Sequence, residues 1–157
     1  MNHPHWNVIM ISCTEFIPAY SELFKFLETR GGAAAVNAFW EHLSDQFLGN
    51  LKHSVEQLGL RGCWEYWAHT LNEEAAEFTM ELDEQEGLFR ITMHRCPSMR
   101  RLLDLRQMEP YHDYCRHCDV LYRRVLEPLG FQCTVDLSRC HEARCSLTVV
   151  KKENVHG

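Results

Sequence analysis

The apolar residues of this chain repeat at one period in its first half and at another in its second, and that switch restricts the fold more than any other feature. From Val36 through Phe39, Trp40, Leu43, Phe47, Leu51, Val55 and Leu58 they recur every three to four positions. That spacing lays one stripe down a long helix. From Ala76 through Phe78, Met80 and Leu82, and again through Phe89, Ile91 and Met93, they recur every two. Alternation of this kind marks half-buried strands, and the turn residues Glu84 to Gly87 between the two runs predict a β-hairpin.

The remaining elements follow from punctuation. Ser21 is placed to cap a short helix through Phe24 and Leu27, which Gly31 and Gly32 then break. A further helix is expected after Gly62, presenting Trp64, Trp67 and Leu71, and a short one after Pro97 with Met99, Leu102 and Leu103. Pro110 suits the first turn of another, which carries Tyr111, Tyr114, Cys115, Cys118, Leu121, Tyr122 and Val125 and stops at Pro128 and Gly130. Phe131, Cys133, Val135 and Leu137, then Cys145, Leu147 and Val149, alternate as a second hairpin. Two hairpins and helices predict an α+β fold of two layers, a four-stranded antiparallel sheet covered by helices, with a helical N-terminal half. At 157 residues, 45% of them hydrophobic, the chain suits one domain spanning 1–157, with 1–15 and 151–157 peripheral.

Cysteine and histidine carry the chemistry. Six of the eight cysteines fall between Cys96 and Cys145, interleaved with His112, His117 and Asp119. Thiols, imidazoles and carboxylates in one short span are the groups that bind soft or borderline metals or become nucleophiles on losing a proton. Cys115 and Cys118 are three apart on the expected helix and share its inward face. Cys145 opens the last strand on its apolar phase. Cys96 stands where a strand meets Pro97, and Cys140 lies in the loop of the final hairpin. A site built from Cys96, Cys115, Cys118, Cys140 and Cys145 would tie the sheet to its covering helix and hold zinc or an iron–sulfur cluster. Cys133 alternates with Phe131 and Val135 and reads as core, and the isolated Cys13 and Cys63 are not expected to be functional. Trp64, Trp67 and Tyr114 are the aromatic residues expected to line a pocket for a small molecule.

Other classes are excluded by what is missing. Sixteen Lys and Arg against 22 Asp and Glu leave a net charge of −6, which argues against a nucleic-acid partner. No window approaches the roughly 20 apolar residues of a membrane span, and the first residues lack a secretory pattern. A cytoplasmic protein is expected, its cysteines free, metal-bound or catalytic rather than a disulfide framework. The chain holds no GxGxxG, phosphate loop, HExxH or GxSxG, so no nucleotide cofactor is expected. The long stripe from Val36 to Leu58 exceeds what one sheet needs to cover, which suggests a homodimer through helices.

The segment from Ile91 through Val150 carries Cys96-Pro97, Tyr114-Cys115 followed by Cys118-Asp119, then Gly130, and Cys145 entering the last strand. In these residues it resembles the L-2-amino-thiazoline-4-carboxylic acid hydrolase-like family. It is also distantly similar to vinyl-4-reductase-type small-molecule-binding domains, which share a strand-helix-hairpin order and a cysteine-rich zinc site. The resemblance implies a compact α+β domain with an inward site near Cys96, Cys115, Asp119 and Cys145.

Two functional expectations follow. As an enzyme, the protein would hydrolyse a C–N bond of a small heterocycle or amide. Cys115 would attack, or a thiolate-held metal would activate water, with His112 or His117 moving the proton and Asp119 orienting it. As a binding module, the thiols would hold a structural zinc or iron–sulfur site beside a sensed ligand.

Overall fold

The structure, a computed structural model, describes residues 15–152. The terminal residues 1–14, Cys13 among them, and 153–157 lie outside the described residues. Helices α1 (Phe16–Phe47), α2 (Gly49–Leu58) and α3 (Leu60–Glu73) make the N-terminal half. Strands β1 (Glu77–Asp83) and β2 (Leu88–Arg95) form the first hairpin. Helices α4 (Pro97–Asp104) and α5 (Arg116–Leu126) follow, and β3 (Phe131–Asp136) and β4 (Cys145–Lys151) form the second. The four strands make one antiparallel sheet in the order β1-β2-β4-β3. The two hairpins thus join through β2 and β4, with Phe89 opposite Val149 and Ile91 opposite Leu147. The α+β class and the helical first half are as the apolar periods dictate. Among the described residues no helix is long and apolar enough to cross a membrane.

Helix boundaries differ from the local signals, and each difference has a tertiary cause. α1 begins at Phe16, so Ser21 is not a cap but an interior residue, fully buried. Its hydroxyl accepts the Tyr111 N–H at 2.7 Å, across the fold. Gly31 and Gly32 do break the helix, Gly32 with φ of 68°. The stripe breaks again at Leu48 and Gly59, where the chain turns from α1 into α2 and then into α3. Gly62 lies inside α3 rather than before it. A Cβ there would stand 2.2 Å from the Ser54 carbonyl oxygen, so α2 and α3 touch backbone to backbone.

The helix expected from Pro110 starts only at Arg116. Residues 112–115 form turns instead, and Tyr111 and Tyr114 are buried against Phe24 of α1 at ring distances of 5.7 Å each.

Two apolar cores flank α5. One lies on the sheet and includes Leu51, Val55, Trp67, Phe89, Ile91, Leu126 and Val149. Trp67 stacks on Phe89 at 5.6 Å and meets Tyr122 edge-on at 5.1 Å. The other joins Phe24, Val36, Trp40, Leu102, Tyr111, Tyr114 and Leu121. α5 is fixed to α1 between them: Ser44 donates to the Leu121 carbonyl at 2.8 Å, and Arg124 grips Asp45 through two bonds of 2.7 and 2.8 Å. Val36, Trp40, Leu51 and Val55 are therefore buried within one chain, and of the stripe only Phe47 and Leu58 are largely exposed.

Candidate functional site: a cavity walled by thiols

At the seam between the two cores lies a cavity of about 180 Å³. Its apolar walls are Trp67 and Leu71 of α3, Ile91 and Met93 of β2, Leu147 of β4 and Tyr122 of α5, with Tyr114 also in the lining. Five thiols, Cys96, Cys115, Cys118, Cys140 and Cys145, face it. All are free.

Each thiol arrives by a different local device. Cys96 caps α4, its sulfur accepting the Met99 N–H at 3.5 Å while Pro97 takes the first helical position. Its phase in β2 pointed outward, but the strand ends at Arg95 and the cap turns it inward. The Cys96 N–H donates to the carbonyl of Ala143 at 2.8 Å. Ala143 is buried and left-handed, with φ of 59°, just after the single 3-10 turn Cys140–Glu142. That strained residue reverses the chain between Cys140 and Cys145, so one hydrogen bond ties the loop of the second hairpin to the end of the first. Cys115 is the N-cap residue of α5 and Cys118 lies in its first turn.

His117 also lines the cavity. Its Nδ1 makes a short hydrogen bond with the Tyr114 carbonyl. A carbonyl only accepts, so Nδ1 carries the proton and Nε2 has the free lone pair. Nε2 is 3.5 Å from the sulfur of Cys118.

Burial governs the charge state. It pushes the Cys96 thiol up to about 11, and Cys118 and Cys145 up to about 12. Cys115 goes higher still, with Cys118 and the other thiols adding to the desolvation. Burial lowers His117. Cys96, Cys115, Cys118, Cys145 and the imidazole are therefore neutral near pH 7. A lowered thiol pKa, which a free thiolate nucleophile at Cys115 would need, is the opposite of what these surroundings produce. Among the described residues no three His, Cys, Asp or Glu side chains are gathered as a group that could hold a metal ion. The thiols stand round the cavity rather than closing on a single point.

All five expected metal ligands, His117, Trp67 and Tyr114 thus meet at one site. His112, Asp119 and Trp64 do not. His112 is exposed and faces Glu28 at 3.0 Å, because the turn it occupies points it away from α5. Asp119 pairs with Arg123 one turn on at 2.5 Å, on the outer side of α5. Trp64 packs against the sheet-side core and is absent from the cavity wall. Cys63 and Cys133 are buried core residues, as their pattern implies. Two charged wall residues escaped the sequence reading. Glu74, just past α3, has its carboxyl raised by desolvation and then by Glu73, and Arg144 lies beside Cys145. Both sit in polar runs that read as ordinary loops.

Fold and site together define an α+β domain with an apolar, thiol-walled cavity between its sheet and its helices. No family model, curated protein or solved structure matches this chain.

Proposed function

We propose that the protein takes a small molecule into the cysteine-walled cavity and processes it at a metal ion held there by thiolates. The observation that carries this reading is the convergence of five thiols from four separate segments on one apolar cavity. Cys63 and Cys133, by contrast, are buried among the apolar side chains of the sheet-side core. Neutral, desolvated thiols are poor nucleophiles, but a soft or borderline cation replaces their protons and makes them ligands. The donor set fits zinc or iron: thiols with an imidazole among them. Such a metal polarises a bound group or lowers the pKa of its water. The Trp67, Leu71 and Tyr122 wall supplies the apolar contact for the ligand.

The resemblance of the segment from Ile91 through Val150 to the L-2-amino-thiazoline-4-carboxylic acid hydrolase-like family supports hydrolysis of a C–N bond in a small heterocycle or amide. Glu74, the one carboxyl among the described lining residues, takes the proton-moving role in place of Asp119 and His112. The seven described cysteines are all unpaired, which fits a reducing, cytoplasmic setting.

Elemental analysis and thiol titration of anaerobically purified protein test the proposal. About one zinc or iron per chain is expected, lost in Cys115→Ala/Cys118→Ala. No metal in wild type expressed with both ions supplied, and every thiol freely titratable, would overturn it.

A further inference from the structure

Resting on that proposed metal site, we infer that His117 is its nitrogen ligand, coordinating through Nε2 beside Cys118. The ion is then a single divalent ion of the borderline class that takes mixed nitrogen and sulfur ligands, not an all-sulfur iron–sulfur cluster.

Three observations point there. The first is the hydrogen bond from Nδ1 to the Tyr114 carbonyl. Metal-bound histidines are held in this way, the second ring nitrogen fixed by a carbonyl so that the ligating lone pair keeps one direction. Tyr114 is itself fixed, buried between Phe24 and Tyr20 at 5.7 and 6.3 Å, so the orientation is built into the core.

The second is distance. Nε2 and the Cys118 sulfur are 3.5 Å apart. Zinc bonds of about 2.3 Å to sulfur and 2.0–2.1 Å to nitrogen, meeting at a tetrahedral angle, set the two ligand atoms about 3.6 Å apart. In the metal-free protein the Cys118 S–H donates to Nε2. Coordination replaces that proton with the ion and releases it to water, leaving both atoms almost where they stand. One edge of the site is thus preformed, and binding must draw the remaining ligands in from the cavity wall.

The third is charge. Each thiolate ligand brings a negative charge into an apolar cavity in which Arg144 is the only cationic side chain among the described lining residues. A neutral imidazole in place of one thiolate reduces the charge that must be buried. The first turn of α5 then supplies Cys115, His117 and Cys118, where the helix N-terminus favours the anionic ligands. Cys96 and Cys145, which line the same cavity as Cys118, complete the choice of sulfurs.

The test is X-ray absorption and optical spectroscopy of reduced, cobalt-loaded protein, compared with His117→Asn. Asparagine keeps an N–H for the Tyr114 carbonyl but has no counterpart of Nε2, so it separates ligation from the structural hydrogen bond. Wild type is expected to bind one cobalt ion in a sulfur-rich shell with one imidazole. In His117→Asn the imidazole signature should vanish, the visible bands should move, and affinity should fall at least about tenfold. An all-sulfur shell in wild type, or an imidazole signature that persists in the variant, overturns the assignment while the metal site stands. A wild type that binds no cobalt overturns both. If the variant does not fold, His117→Gln, read against the wild-type shell, decides by the same imidazole signature.

Discussion

At the scale of single residues, the site is governed by desolvation of its thiols. Each of Cys118 and Cys145 is raised from the ordinary 9.0 to about 12. In the unfolded chain these groups ionise near their ordinary value, whereas in the native cavity they keep their protons to a much higher pH. A native state that binds more protons than the unfolded one loses stability as pH rises. Metal-free, reduced protein should therefore be most stable below pH 9 and should weaken between about pH 9 and 12. A urea midpoint that stays level from pH 8 to 10.5 would contradict this. Arg124 and Asp45, by comparison, form an exposed pair, which is worth little.

The elements are positioned by a few contacts at which backbone meets backbone or side chain. Ser21 is one. Replacing it with alanine leaves the buried Tyr111 N–H without its partner, a cost of about 1–3 kcal/mol. Because Tyr111 leads into the turns that carry Cys115, Ser21→Ala should also speed alkylation of Cys115, measured by mass spectrometry at a reagent concentration too low to unfold the protein. Unchanged labelling would show that the 112–115 turns hold without this anchor. Gly62 is the second such contact. The methyl of Gly62→Ala meets the Ser54 carbonyl at 2.2 Å, so α2 and α3 must part. Overpacking of this kind costs about 1–3 kcal/mol, and since the obstacle is backbone the upper end is expected in chemical denaturation.

At the scale of the whole molecule, α5 is the shared wall of two cores, and the cavity exists because they do not quite merge along it. Its lining comes from both: Trp67, Ile91 and Leu147 from one, Met99, Tyr114 and Ala143 from the other. Phe89 is fully buried beneath Trp67. Phe89→Ala should cost about 3–5 kcal/mol and free Trp67 to move, which would show as lost near-UV ellipticity in protein that keeps its far-UV spectrum. A loss under 1 kcal/mol would mean that the sheet-side core is less tightly packed than its burial indicates.

Much of the architecture is legible in local pattern. The change of apolar period separates helices from strands, the Gly31-Gly32 pair marks the break in α1, and alternation places Cys133 in the core. The gathering of thiols in number and type is likewise visible, and so is the inward face shared by Cys115 and Cys118. What local pattern could not decide is where an element starts when a distant group claims its end. Ser21 has the chemistry of a cap, yet it holds the Tyr111 N–H instead, just before the turns at 112–115 where the spacing predicts a helix. The same limit moved His112, Asp119 and Trp64 away from the site: their spacing fixes an angle about an axis, and the axis is set by packing. Cys96 reaches the cavity only because β2 pairs with β4 and Ala143 bonds its N–H. Periodicity is a property of neighbours in sequence, so the chain alone determines its elements and its stock of ligands. Convergence depends on pairing across the sheet and on burial between two cores, and only the tertiary structure decides that.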